Sequence, residues 1–180
     1  EGGMADGRFT GRARVFDSEA ALIQALASDP DRFADRDMVV IRYEGPRGAP
    51  GMPELLDPTS RITALCRRRG ITIALMTDAR FSGGSVGLVI GHTSPEAALG
   101  GPIALIEDGD TIVVDVNDDT LDCAELDDAA TLAARQARWQ DETERNGGTH
   151  PLVRAADTRL LRRMRARALP SLRGAGLSEA

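Results

Sequence analysis

The sequence predicts an α+β domain built around a β-barrel or strongly curled sheet. Short apolar runs of strand length, such as Met38–Ile41 and Ile71–Met76, alternate with short helical patterns. Ile103–Ile106 and Thr111–Val116 flank Asp108-Gly109-Asp110, which reads as a hairpin. The length, 180 residues, suits one domain, or one domain plus a tail, with a sizeable core. Only 3% of the residues are aromatic, so that core must rest on Val, Ile, Leu and Ala.

Taken in order, residues 1–11 are glycine-rich and expected to be loose. Ala13–Phe16 reads as a strand, and Asp17-Ser18-Glu19 opens a helix to about Ser28, with Ala20, Leu22, Ile23 and Leu26 on its apolar stripe. Asp29-Pro30 stops it. After the 38–41 strand, Arg42 to Glu54 is a long turn containing three glycines and three prolines, a composition that fixes shape. Leu55–Arg68 is helical, with Pro58-Thr59-Ser60 as a start or break, and Gly70 ends it. The strand 71–76 leads into Thr77-Asp78-Ala79-Arg80-Phe81-Ser82-Gly83-Gly84-Ser85, a polar turn. Val86–Ile90 fits a strand or a buried helix equally. Ser94-Pro95-Glu96-Ala97 resembles a helix entry, with serine as cap and proline first inside. Asn117–Thr120 is a turn, Asp127 or Asp128 caps a helix through Trp139, and a basic helix covers about Ala155 to Leu169.

Composition excludes several classes. No stretch approaches the ~20 apolar residues of a membrane-spanning helix, and Glu1-Gly2-Gly3-Met4 has no signal-peptide pattern. The start without an initiator methionine suggests a processed chain or an excised fragment. Cys66 and Cys123 stand alone, which suggests reduced thiols and a cytoplasmic setting. The net charge of −6 hides an asymmetry: thirteen acidic residues between Glu107 and Glu144, then seven arginines after Pro151. Lysine is absent, and an arginine run with few aromatics does not point to nucleic acid. Docking of the basic tail on an acidic surface, its own or a partner's, is the simpler expectation. Gly45–Gly51 lacks the Gly-Lys-Ser/Thr ending of a phosphate loop, and Gly83–Gly87 lacks dinucleotide spacing.

Candidate chemistry gathers in the two loops. Ser82, beside the double glycine Gly83-Gly84, could sit among bare amide donors as a nucleophile or base, or be an ordinary turn hydroxyl. Glu54 could bind a hard cation such as Mg2+, or be a helix-start carboxylate; a single carboxylate does not make a site. Glu44 could join it only if the loop folds back. Asp78 could orient a base or cap its own turn, and His92 could be structural or catalytic. His150 receives no role, and no His/Cys/Asp set has transition-metal spacing.

Five segments together carry a family resemblance. They are Val39-Val40-Ile41-Arg42-Tyr43-Glu44-Gly45-Pro46, Pro50-Gly51-Met52-Pro53-Glu54, Thr77 to Gly84, Gly91-His92-Thr93-Ser94-Pro95-Glu96-Ala97 and Gly100-Gly101-Pro102-Ile103. Over roughly residues 12–140 the chain resembles the C-terminal domain of the dihydroxy-acid, phosphogluconate and sugar-acid dehydratases. The resemblance implies a helix-flanked β-barrel similar to the aconitase swivelling domain, taken as spanning 12–145; the glycine-rich composition of 1–11 marks a flexible segment before it and the arginine run a basic helical tail, 146–180, after it. It implies an iron–sulfur, Mg2+-dependent lyase that removes water from a 2,3-dihydroxy acid to give a 2-keto acid. Ser82 then corresponds to the base taking the C2 proton, and Glu54 to the Mg2+ ligand supplied by this domain. Asp78, Arg80, Gly83, Gly84 and His92 support the loops. The cluster cysteines belong to an N-terminal domain, whose iron would accept the C3 hydroxyl. The complete enzyme is expected to be a homodimer that binds neither nucleic acid nor membrane.

Phe81 with the double glycine resembles the branched-chain enzymes, implying 2,3-dihydroxyisovalerate and its homologue, and valine and isoleucine synthesis. The alternatives are a sugar-acid dehydratase domain or a standalone, noncatalytic binding homologue. Ala79 and Ala49 stand where the family usually has glycine, and residues beyond Glu144 depart from its pattern. Lacking cluster cysteines, the chain alone is expected to be inactive and to hold no cofactor tightly.

Overall fold

The computed structural model describes residues 4–179. Its centre is a six-stranded sheet in the order β4-β3-β2-β1-β5-β6. These strands are β1 (Arg8–Phe16), β2 (Asp37–Ile41), β3 (Ala74–Thr77), β4 (Val89–Ile90), β5 (Thr111–Asp115) and β6 (Thr120–Cys123). The helices are α1 (Glu19–Ser28), α2 (Leu56–Arg69), α3 (Pro102–Leu105), α4 (Ala129–Arg145) and α5 (Arg159–Arg167). The fold is α+β, with a curled, open sheet flanked by helices. Its edges are β4 and β6, and no pairing joins them into a closed barrel among the described residues.

The sheet has two halves. β1, β2, β3 and β4 run parallel, with α1 and α2 as the crossovers that parallel pairing requires. β1–β5 and β5–β6 are antiparallel. β2 is buried along its whole length, and its pleat divides the core. Met38 and Val40 face a cluster with Phe9, Met76, Ile103 and Ile112, against which Leu132 and Trp139 of α4 pack. Val39 and Ile41 face Leu22 of α1 and Ile62 and Leu65 of α2.

Three expectations need correction. Ile103–Ile106 is not a strand of a hairpin. Gly101 is extended and Pro102 occupies the first turn of α3, which proline's fixed φ favours. The carbonyls of Ile103, Ala104 and Ile106 accept from the Arg42 guanidinium at 3.3, 2.7 and 2.8 Å instead of from a strand. The hairpin is β5–β6, turning at 116–119. Arg8–Gly11 is not loose: it pairs with β5, from Arg8 opposite Asp115 to Gly11 opposite Ile112. Only residues 1–3 of the segment expected to be flexible lie outside the described residues. Ser94 does not cap a helix: the short 3-10 turn Ala97–Leu99 begins after Glu96, which itself makes no side-chain cap.

The basic segment after α4 folds back onto the body. His150 is buried and stacked between Tyr43 and Trp139, with ring centroids 5.2 and 5.4 Å away. Its Nδ1 accepts from the Leu152 N–H, which leaves Nε2, 3.1 Å from Glu142, to carry the proton. Burial holds its pKa below the ordinary histidine value, with Glu142 opposing.

Candidate functional site

Parallel strands present their following loops at their carboxyl ends, the usual place for ligand chemistry in such sheets. Here three neighbours do so: β2 leads into the 42–54 loop, β3 into 78–88, and β4 into 91–96. The loops are tied together by backbone. The His92 N–H donates to the Ala79 carbonyl at 2.7 Å, and the Thr93 N–H to Thr77 at 3.0 Å. Glu54 and Arg80 form an isolated parallel bridge, with the Leu55 N–H donating to the Arg80 carbonyl at 2.9 Å. Arg80 returns a bond from Nε to the Met52 carbonyl at 3.2 Å. Glu54, Arg80, Ser82 and His92 thus lie on one connected set of loops.

Asp78 is the buried hub of that set. Its carboxylate accepts from the N–H groups of Tyr43 at 3.1 Å, Glu44 at 3.0 Å and Ala97 at 3.0 Å, one oxygen serving two of them. It therefore joins the start of the 42–54 loop to the end of the 91–96 loop across β3; its hydrogen bonds go to neither Ser82 nor His92. Burial pushes its pKa up to about 6; the three N–H donors oppose that and Glu96 adds to it. Glu96, also buried, accepts from the N–H groups of Arg47 at 2.9 Å and Gly48 at 3.0 Å, and burial raises its pKa as well. Glu44 is buried and held by the Glu19 N–H at 3.0 Å and by Arg154 at 3.1 Å, so its carboxylate is already engaged.

The positions with proposed chemistry are less constrained. Glu54 is exposed, and its carboxylate engages no hydrogen-bond or ion-pair partner among the described residues. Ser82 is half-buried, and its Oγ accepts from the Gly84 N–H at 3.1 Å. Gly83 and Gly84 do not adopt positive φ; that role falls to Gly87, at +96°. His92 is exposed with φ +57°. Ala79 is fully buried in the α1/α2-side core, so its methyl group is accommodated. The hydroxyls of Ser85, Thr93 and Ser94, on the two loops flanking this region, are buried without partners among the described residues.

An exposed, unengaged carboxylate such as that of Glu54 suits a hard cation, as one ligand to Mg2+. An iron–sulfur cluster does not fit this chain. Cys66 packs with the α1/α2-side core and Cys123 with the opposite core, so the sheet separates the two thiols. A further group missed in the sequence, Asp110, Cys123 and Glu125, brings three ligand atoms within 4.8 Å of one another, close enough to share a metal ion. Its acidic groups are already compensated, however. Asp110 pairs with Arg135, and Glu125 accepts from the Thr111 N–H at 2.7 Å and Oγ1 at 3.1 Å. Burial, with Asp110 beside it, pushes the Cys123 thiol up to about 12, away from the thiolate that binds metals.

Residues 3–175 match the family model described as dihydroxy-acid/6-phosphogluconate dehydratase C-terminal. The chain belongs to this family. The match takes in most of the arginine-rich segment as well as the sheet. Among curated relatives, the chain is 57% identical over 130 residues to dihydroxy-acid dehydratase of Solidesulfovibrio magneticus, covering 72% of this chain and 22% of the relative. It is 50% identical over 131 residues to the mitochondrial dihydroxy-acid dehydratase of Saccharomyces cerevisiae, covering 73% and 22%. The corresponding mitochondrial enzyme of Aspergillus fumigatus is 49% identical over 145 residues, with 80% and 23% covered. The chain thus aligns with less than a quarter of the length of these relatives. No helix among the described residues is long and apolar enough to cross a membrane.

The loops were legible in the sequence from their glycine and proline punctuation. Glu96 lay within a recognised segment but had no role, because a carboxylate that binds backbone amides leaves no spacing to read. Arg154 and Arg165, far along the chain, gave no signal beyond the charge of the tail.

Proposed function

We propose that this chain is the C-terminal part of a hydro-lyase that dehydrates 2,3-dihydroxy-3-methyl carboxylic acids to 2-keto acids. In this reading it acts with an N-terminal cluster-bearing part, in the same chain or as a separate subunit, in a soluble homodimer in the cytoplasm. The supporting observation is the bridge between Glu54 and Arg80, which sets the Glu54 loop against the loop of Ser82. The branched-chain substrate is favoured by Phe81-Ser82-Gly83-Gly84 and by relatives named dihydroxy-acid dehydratase.

Ser82 serves as the base for the C2 proton. A serine alkoxide is accessible only where donors stabilise it, and the Gly84 N–H already points at Oγ. Glu54 would hold Mg2+, which when bound polarises the substrate carboxylate and C2 hydroxyl. The sheet-borne hub at Asp78 keeps the start of the 42–54 loop and the end of the 91–96 loop fixed, which limits the reorganisation needed to bring a proton and a base into line. No step is assigned to a cluster, since the residues of this chain do not fit one.

The test is complementation. The chain is co-expressed with the cluster-bearing portion of the 57% identical bacterial relative, and 2-keto acid formation from 2,3-dihydroxyisovalerate is followed. Activity is expected only with both parts. Ser82→Ala should lower kcat by roughly 10³-fold with the melting temperature unchanged. Activity of the chain alone, or full activity of Ser82→Ala, would overturn the reading.

A further inference from the structure

We propose that Arg165 is a positioning residue for the loop that carries Glu54, acting as a strap that locks the Arg47-Gly48 peptides from outside while Glu96 locks them from inside. The inference rests on the reading of Glu54 as a cation ligand.

The geometry is two-sided. The Arg47 and Gly48 N–H groups donate inward to the buried Glu96 carboxylate at 2.9 and 3.0 Å. Their carbonyls point the other way and accept from Arg165, Nε to Arg47 at 2.8 Å and an outer nitrogen to Gly48 at 3.1 Å. Two consecutive peptide units therefore have every polar group satisfied, although no regular secondary structure passes through them. The same outer nitrogen of Arg165 also donates to the Arg154 carbonyl, and Arg154 holds Glu44 at the start of the loop. Arg47 answers with a bond from its Nε to the Ala168 carbonyl at 2.9 Å. The loop and the tail are thus crossed by arginines from both sides.

Only an arginine suits this position. Its planar fork reaches adjacent carbonyls with fixed directions, whereas a lysine ammonium is a single flexible point. From Gly48 the restraint runs to Glu54 through tight turns, the Ala49 N–H to the Gly45 carbonyl and the Met52 N–H to the Ala49 carbonyl, both at 2.8 Å. The Glu54–Arg80 bridge then meets the Ser82 loop. The tail's positive charge accordingly has an acidic counterpart in its own chain, at Glu44 and Glu96.

The test uses the complemented enzyme, with hydrogen exchange and Mg2+ titration on the same preparations. Arg165→Gln should speed amide exchange of residues 47–52 by roughly tenfold or more. It should raise the Mg2+ concentration for half-maximal rate by about tenfold, with β1 and β2 exchange unchanged. Arg165→Lys, which keeps charge and stem, is the variant to use if Gln perturbs the whole fold, and should show the same pattern. Wild-type loop exchange and Mg2+ requirement in both variants would overturn the strap. Glu54→Gln separates the two claims. It should raise the Mg2+ requirement while leaving loop exchange untouched. If the requirement does not move, the Glu54 reading fails, and with it the positioning role, while loop exchange in the Arg165 variants still reports whether the strap exists.

Discussion

Gly48 and Gly83 lie in neighbouring loops, yet a methyl group added at Gly48 would sit 2.3 Å from the Tyr43 carbonyl oxygen, whereas one at Gly83 would meet nothing within 4 Å. The same contrast holds for the loops as wholes. The 42–54 loop is buried over much of its length, braced by Asp78, Glu96, Arg154 and Arg165. The 82–87 turn is largely exposed, held by the Ser82 hydroxyl and the Ser85 N–H to the Ser82 carbonyl. Glycine is thus demanded at 48 by this chain's own packing, whereas the space around Gly83 is open and the positive φ of that turn belongs to Gly87. In the proposed reading, that open space at Gly83 is where a substrate or facing domain would approach the backbone.

The contrast can be broken most directly at Gly48. Gly48→Ala forces backbone against backbone and should cost about 4 kcal/mol in urea unfolding. A cost near zero would mean that the loop is not braced as described. The next largest effect is the pH dependence set by Asp78. In the unfolded chain this group ionises near its ordinary 3.8; in the fold it keeps its proton to about 6. Between those values the native state binds the extra proton, so stability should fall as pH rises through that window, by roughly 3 kcal/mol, and level off above it. Asp78→Asn should flatten that part of the stability–pH curve, measured by urea unfolding across the window. The smallest effect sharpens the other side of the comparison. Gly83→Ala should change stability by less than about 0.5 kcal/mol, yet reduce the rate of the complemented enzyme; a large loss of stability would show that the turn is structural after all.

The sequence made the loops visible and hid what braces them. Helix α1 was readable from its cap and apolar stripe and α2 from the Gly70 that ends it; of the two cap candidates for α4, Asp127 and Asp128, it is Asp128 whose side chain accepts from the Thr131 N–H. Ile103–Ile106 misled because a four-residue apolar run suits a buried strand or a buried helical turn equally, and only Pro102 tipped it. The first half of β1 was hidden for the opposite reason. Its inward residues after Phe9 are Gly11 and Ala13, too small to register as an apolar alternation. In the site, residue type and loop position made Ser82 and Glu54 candidates with an ordinary structural alternative each, and the roles expected of them came from the family resemblance. Asp78, Glu96 and Arg165 act on backbone groups 11 to 118 residues away, and such bonds depend on topology that no local pattern encodes.

The chemistry of the two thiols has a consequence for durability. Burial raises the pKa of Cys66, and that of Cys123 stands at about 12, so at neutral pH neither holds an appreciable thiolate fraction. Because the thiolate is the form that oxidants and alkylating agents attack, these two thiols are poor targets for both.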